Sequence, residues 1–232
     1  MQIKKINKKI KIGYAIGICG ILMAIIGGSM WFGYQKPQTV WQDILSRAGY
    51  GKPEADAVSK IVFLGDSLTF LEDWNVLFGV SDIANAGISG NTTEDVLNRL
   101  DTVISSKPQK LFLMVGINDL LKDKDVSAVI VNYEKIVQAI KAQSPHTTLY
   151  IQSVLPVHND ISKYGPVDSQ KIIDLNSNLK VLADTNGVIF INLYPYFCGY
   201  DNALYVGYST DGLHLNSHGY ATWKKLIAGY IY

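Results

Sequence analysis

Asp211-Gly212-Leu213-His214 places a carboxylate three residues before an imidazole. A carboxylate so close can accept from one ring nitrogen and leave the other free to act as a base, the orienting role of the acid in a Ser-His-Asp arrangement. A hydroxyl able to use such a base lies in Gly65-Asp66-Ser67-Leu68-Thr69. There Ser67 follows an apolar run, and the surrounding backbone N–H groups could bind an anion. Either Ser67 or Asp66 could equally be a helix cap. Two further stretches offer hydrogen-bond donors. In Asn85-Ala86-Gly87-Ile88-Ser89-Gly90-Asn91-Thr92, Gly87 permits close approach of a backbone N–H to a ligand. In Gly116-Ile117-Asn118-Asp119, Asn118 offers a side-chain amide, although an Asn-Asp pair also forms turns.

The other histidines are less suited. His146 follows a proline in a turn, His158 has no obvious carboxylate partner, and His218 is four residues after His214. The spacing of His214 and His218 is not H-E-x-x-H, and no further His or Cys cluster accompanies it, so no metal site is expected. No P-loop or G-x-G-x-x-G is present, and no cofactor is called for. Cys198 reads as a small apolar residue rather than a nucleophile. The tyrosines Tyr194, Tyr196, Tyr200, Tyr205 and Tyr208 read as half-buried packing more than as a sugar-facing surface, and Trp74 as core or pocket wall.

Elements that could position these groups alternate along the chain. Short β-rich apolar runs cover Ile61–Leu64, Ile83–Ala86, Lys110–Val115, Leu149–Val154 and Gly187–Ile191. Between them, helical periodicity predicts helices over Thr92–Ser105, Ser127–Ala142, about Val167–Asn186 and about Ser217–Tyr230. The first would be capped by Thr92 or Thr93, with Val96, Leu97, Leu100, Val103 and Ile104 as its apolar stripe. The second would bury Ile130, Tyr133, Ile136, Val137 and Ile140, and Gly187 would end the third. Apolar strands joined by crossover helices imply an α/β domain with a parallel sheet covered on both faces. Ligands then bind beyond the carboxyl ends of the strands, where the stretches with Ser67, Gly87 and Asn118 fall, while Asp211 and His214 come just before the last helix.

The chain has 232 residues, 48% hydrophobic and 18% charged, with a net charge of +1. That is enough for one well-buried domain, and it argues against disorder and against nucleic acid as a partner. Five lysines (Lys4, Lys5, Lys8, Lys9, Lys11) lie before residue 12, so the rest holds 16 basic against 20 acidic side chains. Ile12 to Tyr34 follows as 23 residues without a charge, longer than the roughly 20 that cross a bilayer. The expected organisation is a cytoplasmic basic tip (1–11), a transmembrane anchor or uncleaved signal-like segment (12–34), a connector (35–59) with a short helix over Val40–Leu45, and a catalytic domain (60–232). Lysines before the span put the N-terminus in the cytoplasm and the domain outside, at the cell membrane, or secreted if the segment is cleaved. The domain's single cysteine, Cys198, leaves it no internal disulfide.

Gly65-Asp66-Ser67-Leu68, Gly87, Gly116-x-Asn118-Asp119 and Asp211-x-x-His214, in that order over about residues 60–230, resemble the SGNH/GDSL hydrolase family. The wording of residues 85–93 and 211–216 is further similar to its platelet-activating-factor acetylhydrolase-like branch. The resemblance implies a three-layer α/β/α, flavodoxin-like fold with a central, mostly parallel five-stranded sheet. It also implies acyl-ester hydrolysis through an acyl-enzyme. Ser67 would be the nucleophile, His214 the base and Asp211 its orienting acid, with Ser67 N–H, Gly87 N–H and the Asn118 amide as the oxyanion hole. Asp66 and Asp119 would hold their loops by hydrogen bonds to backbone N–H groups. The expected substrate is a short acyl ester, such as an acetyl ester, of a carbohydrate or lipid. Alternatives are O-acyl transfer by the same triad, a lysophospholipase or lipase acting on longer chains, and a catalytically idle surface-binding protein.

Overall fold

In the computed structural model of the chain, residues 60–199 and 201–232 are described. The basic tip, the apolar run 12–34 and the connector with its expected Val40–Leu45 helix lie outside them. Among the described residues, no helix is long and apolar enough to cross a membrane.

Five strands, β1 (Ile61–Gly65), β2 (Ile83–Gly87), β3 (Lys110–Met114), β4 (Thr148–Gln152) and β5 (Ile189–Ile191), pair in the order β2-β1-β3-β4-β5. All four pairings are parallel, so the sheet is parallel throughout rather than mostly so. The chain runs outward from β1 to β2, then returns to build β3, β4 and β5 on the other side. That reversal opens a crevice beyond the carboxyl ends of β1 and β3, the usual ligand position in such sheets.

Side-chain alternation assigns the two faces. Val62, Leu64, Leu111, Leu113, Leu149 and Ile151 enter one apolar cluster, and Ile61, Phe63, Phe112, Met114 and Tyr150 enter the other. Over the first lie α3 (Thr93–Ile104), α4 (Ile117–Leu121), α5 (Val126–Gln143) and α6 (Ser169–Asn186). Over the second lie α1 (Ser67–Phe70), α2 (Trp74–Phe78) and α7 (Ser217–Ile231). Trp74 is a core residue, 1% exposed, not a pocket wall.

The four long helices fall where their periodicity places them. Thr92 caps α3 in a capping box with Asp95, and Gly187, at φ +63°, ends α6. The stripe of α5 is rotated slightly from expectation: Val129 is fully buried and Ile130 only partly. The helices α1, α2 and α4 have four or five residues each, too few for a period to show.

Candidate active site

Ser67 is the first residue of α1, directly after β1. A chain leaving a strand into a helix at once must turn sharply. Gly65 allows this because any side chain there would strike the Met114 carbonyl and the Thr69 hydroxyl. Asp66 caps the helix through Leu68 N–H at 3.0 Å. The turn is then held from three directions. Tyr220 Oη donates to Leu68 O (2.8 Å), Trp74 Nε1 to Thr69 O (2.9 Å), and Asn85 Nδ2 to Thr69 O (2.9 Å) and Glu72 O (2.9 Å). As the first residue of α1, Ser67 has an N–H with no partner inside its helix.

His214 reaches this serine from 147 residues away in the chain. Its Nε2 lies 3.0 Å from Ser67 Oγ and its Nδ1 lies 2.8 Å from Asp211 Oδ2. The expected serine, histidine and aspartate are therefore contiguous. The Asp211 carboxylate also accepts from His214 N–H (2.8 Å) and Leu213 N–H (3.0 Å) through Oδ1, so the acid and the base are locked into one turn. Burial alone would push its carboxyl up. The hydrogen bonds from the His214 ring and from the two backbone N–H groups outweigh that and hold it at about 2, ionised at any working pH. Gly212 (φ +81°) packs this turn against the loop after β4, where a Cβ would meet His158 O and Ser162 N at 2.6 and 2.7 Å.

Asn118 lies in α4, at the carboxyl end of β3. One hydrogen of its amide goes to Asn91 O at 3.0 Å, leaving a second for the crevice. Asp119 beside it is fully buried and accepts from Thr93 N–H and Thr93 Oγ1, both at 2.8 Å, with Lys124 Nζ at 3.5 Å. Asp66 and Asp119 thus hold loops, as expected.

Gly87 has a packing duty that the sequence did not show. Its N–H donates to Asn85 Oδ1 at 2.9 Å, and its Cα faces the Thr69–Phe70 backbone, where a Cβ would collide with the Phe70 N–H. Gly87 is small so that α1 can lie against β2.

Of the remaining candidates, His218 is exposed on α7 and His146 is exposed in its turn. His158 binds Gly212 O through its backbone, while its Nδ1 is buried without a hydrogen-bond partner. Cys198 is half-buried, which pushes its thiol up and away from nucleophilic use. The tyrosines do not behave alike: Tyr194 is buried, Tyr208 half-buried, and Tyr196 and Tyr205 are 58% and 50% exposed. Tyr200 lies outside the described residues.

Three contributors were not legible in the sequence. Tyr164, from the loop after β4, sets its ring edge-on to His214 with centroids 5.0 Å apart and brings its hydroxyl to 3.4 Å from Asp211 Oδ2. Asn85 bridges β2 to α1, and Arg99 reaches back from α3 to the strand ends. Only the polar character of Asn85 inside the apolar run of β2 could have drawn notice.

The pattern of the GDSL-like lipase/acylhydrolase family matches residues 63–222. The chain belongs to that family. It is 31% identical over 173 residues to the human platelet-activating factor acetylhydrolase IB subunit alpha2, covering 72% of this chain and 73% of that one. It is also 30% identical over 194 residues to an N-acylneuraminate cytidylyltransferase of Escherichia coli O18:K1:H7, covering 82% of this chain but only 44% of that protein's length. Among solved structures, a GDSL-like lipase of Bacteroides thetaiotaomicron superposes with a TM-score of 0.65 at 25% identity, over 82% of this chain and 96% of that one. This GDSL acylhydrolase is a serine ester hydrolase, with an α/β fold on a five-stranded parallel sheet.

Proposed function

We propose that the protein removes short acyl groups, acetyl above all, from esters of a carbohydrate or lipid, using Ser67 as nucleophile, His214 as general base and Asp211 as the acid that orients it. The observation that carries this reading is the unbroken Ser67–His214–Asp211 chain, at 3.0 and 2.8 Å, at the carboxyl end of β1. His214 Nε2 takes the Ser67 proton as Oγ attacks the ester carbonyl. The tetrahedral intermediate collapses with His214 returning that proton to the leaving alcohol. Water, deprotonated by the same nitrogen, then frees the acid and restores Ser67. Asp211 remains ionised and stabilises the imidazolium.

The oxyanion falls to Ser67 N–H, the free hydrogen of the Asn118 amide and Gly87 N–H, which also bonds Asn85 Oδ1 at 2.9 Å. The preference for acetyl rests on the likeness to a relative named for acetyl hydrolysis. The sugar alternative is supported by the likeness to one named for an acylated sugar acid. The apolar run 12–34, behind five lysines, serves in this proposal as an anchor that holds the domain outside the cell.

The test follows hydrolysis of p-nitrophenyl esters, from acetyl to long acyl, by the full chain beside Ser67→Ala. The reading expects acetyl turnover that falls by at least 1000-fold in Ser67→Ala, with long acyl esters hydrolysed poorly. Long-chain preference would overturn the acetyl assignment, and equal rates in the two proteins would overturn Ser67. Faster product release on adding a sugar alcohol, with the acyl group recovered on the sugar, would convert the reading to transfer. Protease digestion of intact cells, expected to remove the domain, tests the anchor.

A further inference from the structure

Three loops converge on the oxyanion position, after β1, β2 and β3, and one side chain outside the triad touches two of them. Arg99 lies on α3, two turns after its cap. Its Nε donates to Asn91 Oδ1 at 2.8 Å, and its Nη2 to Ala86 O at 2.8 Å and Gly65 O at 3.1 Å. Each acceptor stands next to a group in the proposed chemistry. Gly65 precedes Asp66 and Ser67. Asn91 offers its own carbonyl to the Asn118 amide at 3.0 Å. Ala86 shares a rigid peptide plane with Gly87 N–H, and a trans peptide points those two groups in opposite directions. That plane is pinned at both ends, by Arg99 on the carbonyl and Asn85 Oδ1 on the N–H. Asn85 in turn holds the carbonyls of Thr69 and Glu72 behind the nucleophile.

We propose that Arg99 is the positioning residue of the oxyanion site, its guanidinium setting the Asn91 turn against the strand ends so that the Asn118 amide presents its free hydrogen to the oxyanion. This rests on the reading of Asn118 as an oxyanion donor. The planar guanidinium matches the task because its donors leave in fixed, divergent directions and can hold three acceptors on two loops at once. A lysine ammonium concentrates its donors on one atom at the end of a flexible stem. Burial lowers the guanidinium to about 10, opposed by the nearby Asp95 carboxylate, so it is still charged at neutral pH. Arg99 touches no substrate atom in this scheme. It acts through Asn91 and the strand ends, and its effect belongs to the transition state rather than to substrate binding.

A double-mutant cycle on the full chain tests this, with kcat and KM on p-nitrophenyl acetate and kcat expressed per active site titrated with a serine-directed phosphonate. Asn118→Ala is expected to lower kcat about 100-fold or more at nearly constant KM. Arg99→Lys is expected to lower kcat about 10-fold, also at nearly constant KM. The double variant should fall no more than about 3-fold below Asn118→Ala, because both act on one donor. Effects that multiply would show that Arg99 works elsewhere and overturn the inference. So would wild-type kcat in Arg99→Lys beside a damaged Asn118→Ala, which leaves the oxyanion reading intact. Wild-type kcat in Asn118→Ala removes that reading, and the inference with it. If Arg99→Lys does not fold, Asn91→Ala decides: it cuts only the guanidinium–turn link, and the same loss and the same coupling to Asn118→Ala are expected. Undiminished kcat there overturns the inference.

Discussion

On one face of the sheet, leucine, valine and isoleucine meet helices long enough to show their period. On the other, Phe63, Phe112 and Tyr150 occupy neighbouring positions on β1, β3 and β4, with ring centroids 4.8 and 4.5 Å apart and nearly parallel planes. Trp74 stacks on Phe63 at 4.1 Å, and Trp223 meets Trp74 edge-on at 5.1 Å. The aliphatic face contributes contact area. The aromatic face contributes area together with polar edges, and those edges are aimed at function. Tyr220 Oη and Trp74 Nε1 hold the carbonyls of α1, and Trp223 Nε1 donates to the buried Gln152 at 2.7 Å. The aliphatic face carries pins of its own: Tyr133 Oη donates to Val115 O at 2.7 Å just ahead of α4, Asn176 Nδ2 donates to Val154 O at 2.9 Å, and Arg99 on α3 holds Gly65 O and Ala86 O at the strand ends. Positioning is thus shared but directed differently: the aromatic face holds the carbonyls of the α1 turn around Ser67, and the aliphatic face holds the strand ends and the loop after β2.

Trp74→Ala gives the largest expected effect. It empties the centre of the aromatic ladder and removes one of the two donors to Thr69 O, so unfolding in urea should show a loss of about 3–5 kcal/mol. A loss below about 1 kcal/mol would mean that the ladder carries little of the fold.

Asp66 lies where the two faces meet, capping α1 and close to Asp119. Burial raises its carboxyl from 3.8 to about 7, helped by the Asp119 charge and opposed by the Leu68 N–H. A carboxyl raised on folding binds its proton more tightly in the folded state, so stability falls as pH climbs from about 4 to 7 and levels above that. A rise of that size corresponds to a few kcal/mol. Asp66→Asn retains the cap and removes the titration. Its Tm is expected to decline less between pH 5 and pH 8 than that of the wild type, and parallel Tm profiles would locate the pH dependence elsewhere.

Tyr220→Phe should cost about 1–3 kcal/mol, since it leaves Leu68 O buried without its donor. It should also lower kcat several-fold with little change in KM, because the α1 turn loosens around Ser67. The matching deletion on the aliphatic face is Ile136→Val, smallest of the four, at about 0.5–1.5 kcal/mol. Its kcat per titrated site should equal that of the wild type. Equal kcat changes in these two variants would erase the functional difference between the faces.

The strands and long helices were legible because burial on both sides of a parallel sheet leaves continuous apolar runs, and a helix over four turns repeats its stripe often enough to be seen. Ser67 and Asn118 were legible as polar side chains just after strands, and Asp211 and His214 as a close pair just before the last helix. At Gly87 the sequence left two duties open, because a glycine at a strand end can face either a ligand or a neighbouring backbone. Only the position of α1 against β2 shows that here it also serves the backbone. The helices α1, α2 and α4 left no periodic trace, being little more than one turn each.

The sequence by itself determined the α/β order, the faces of the long helices and the motifs of a GDSL acylhydrolase, because these follow from local patterning and from spacings of a few residues. Tertiary structure decided which of those residues meet. The 147-residue gap between Ser67 and His214 closes only when the sheet is assembled and α7 packs on its aromatic face. Arg99, Tyr164 and Asn85 became part of the site in the same way, since a side chain's partners across loops depend on distances that no spacing along the chain encodes.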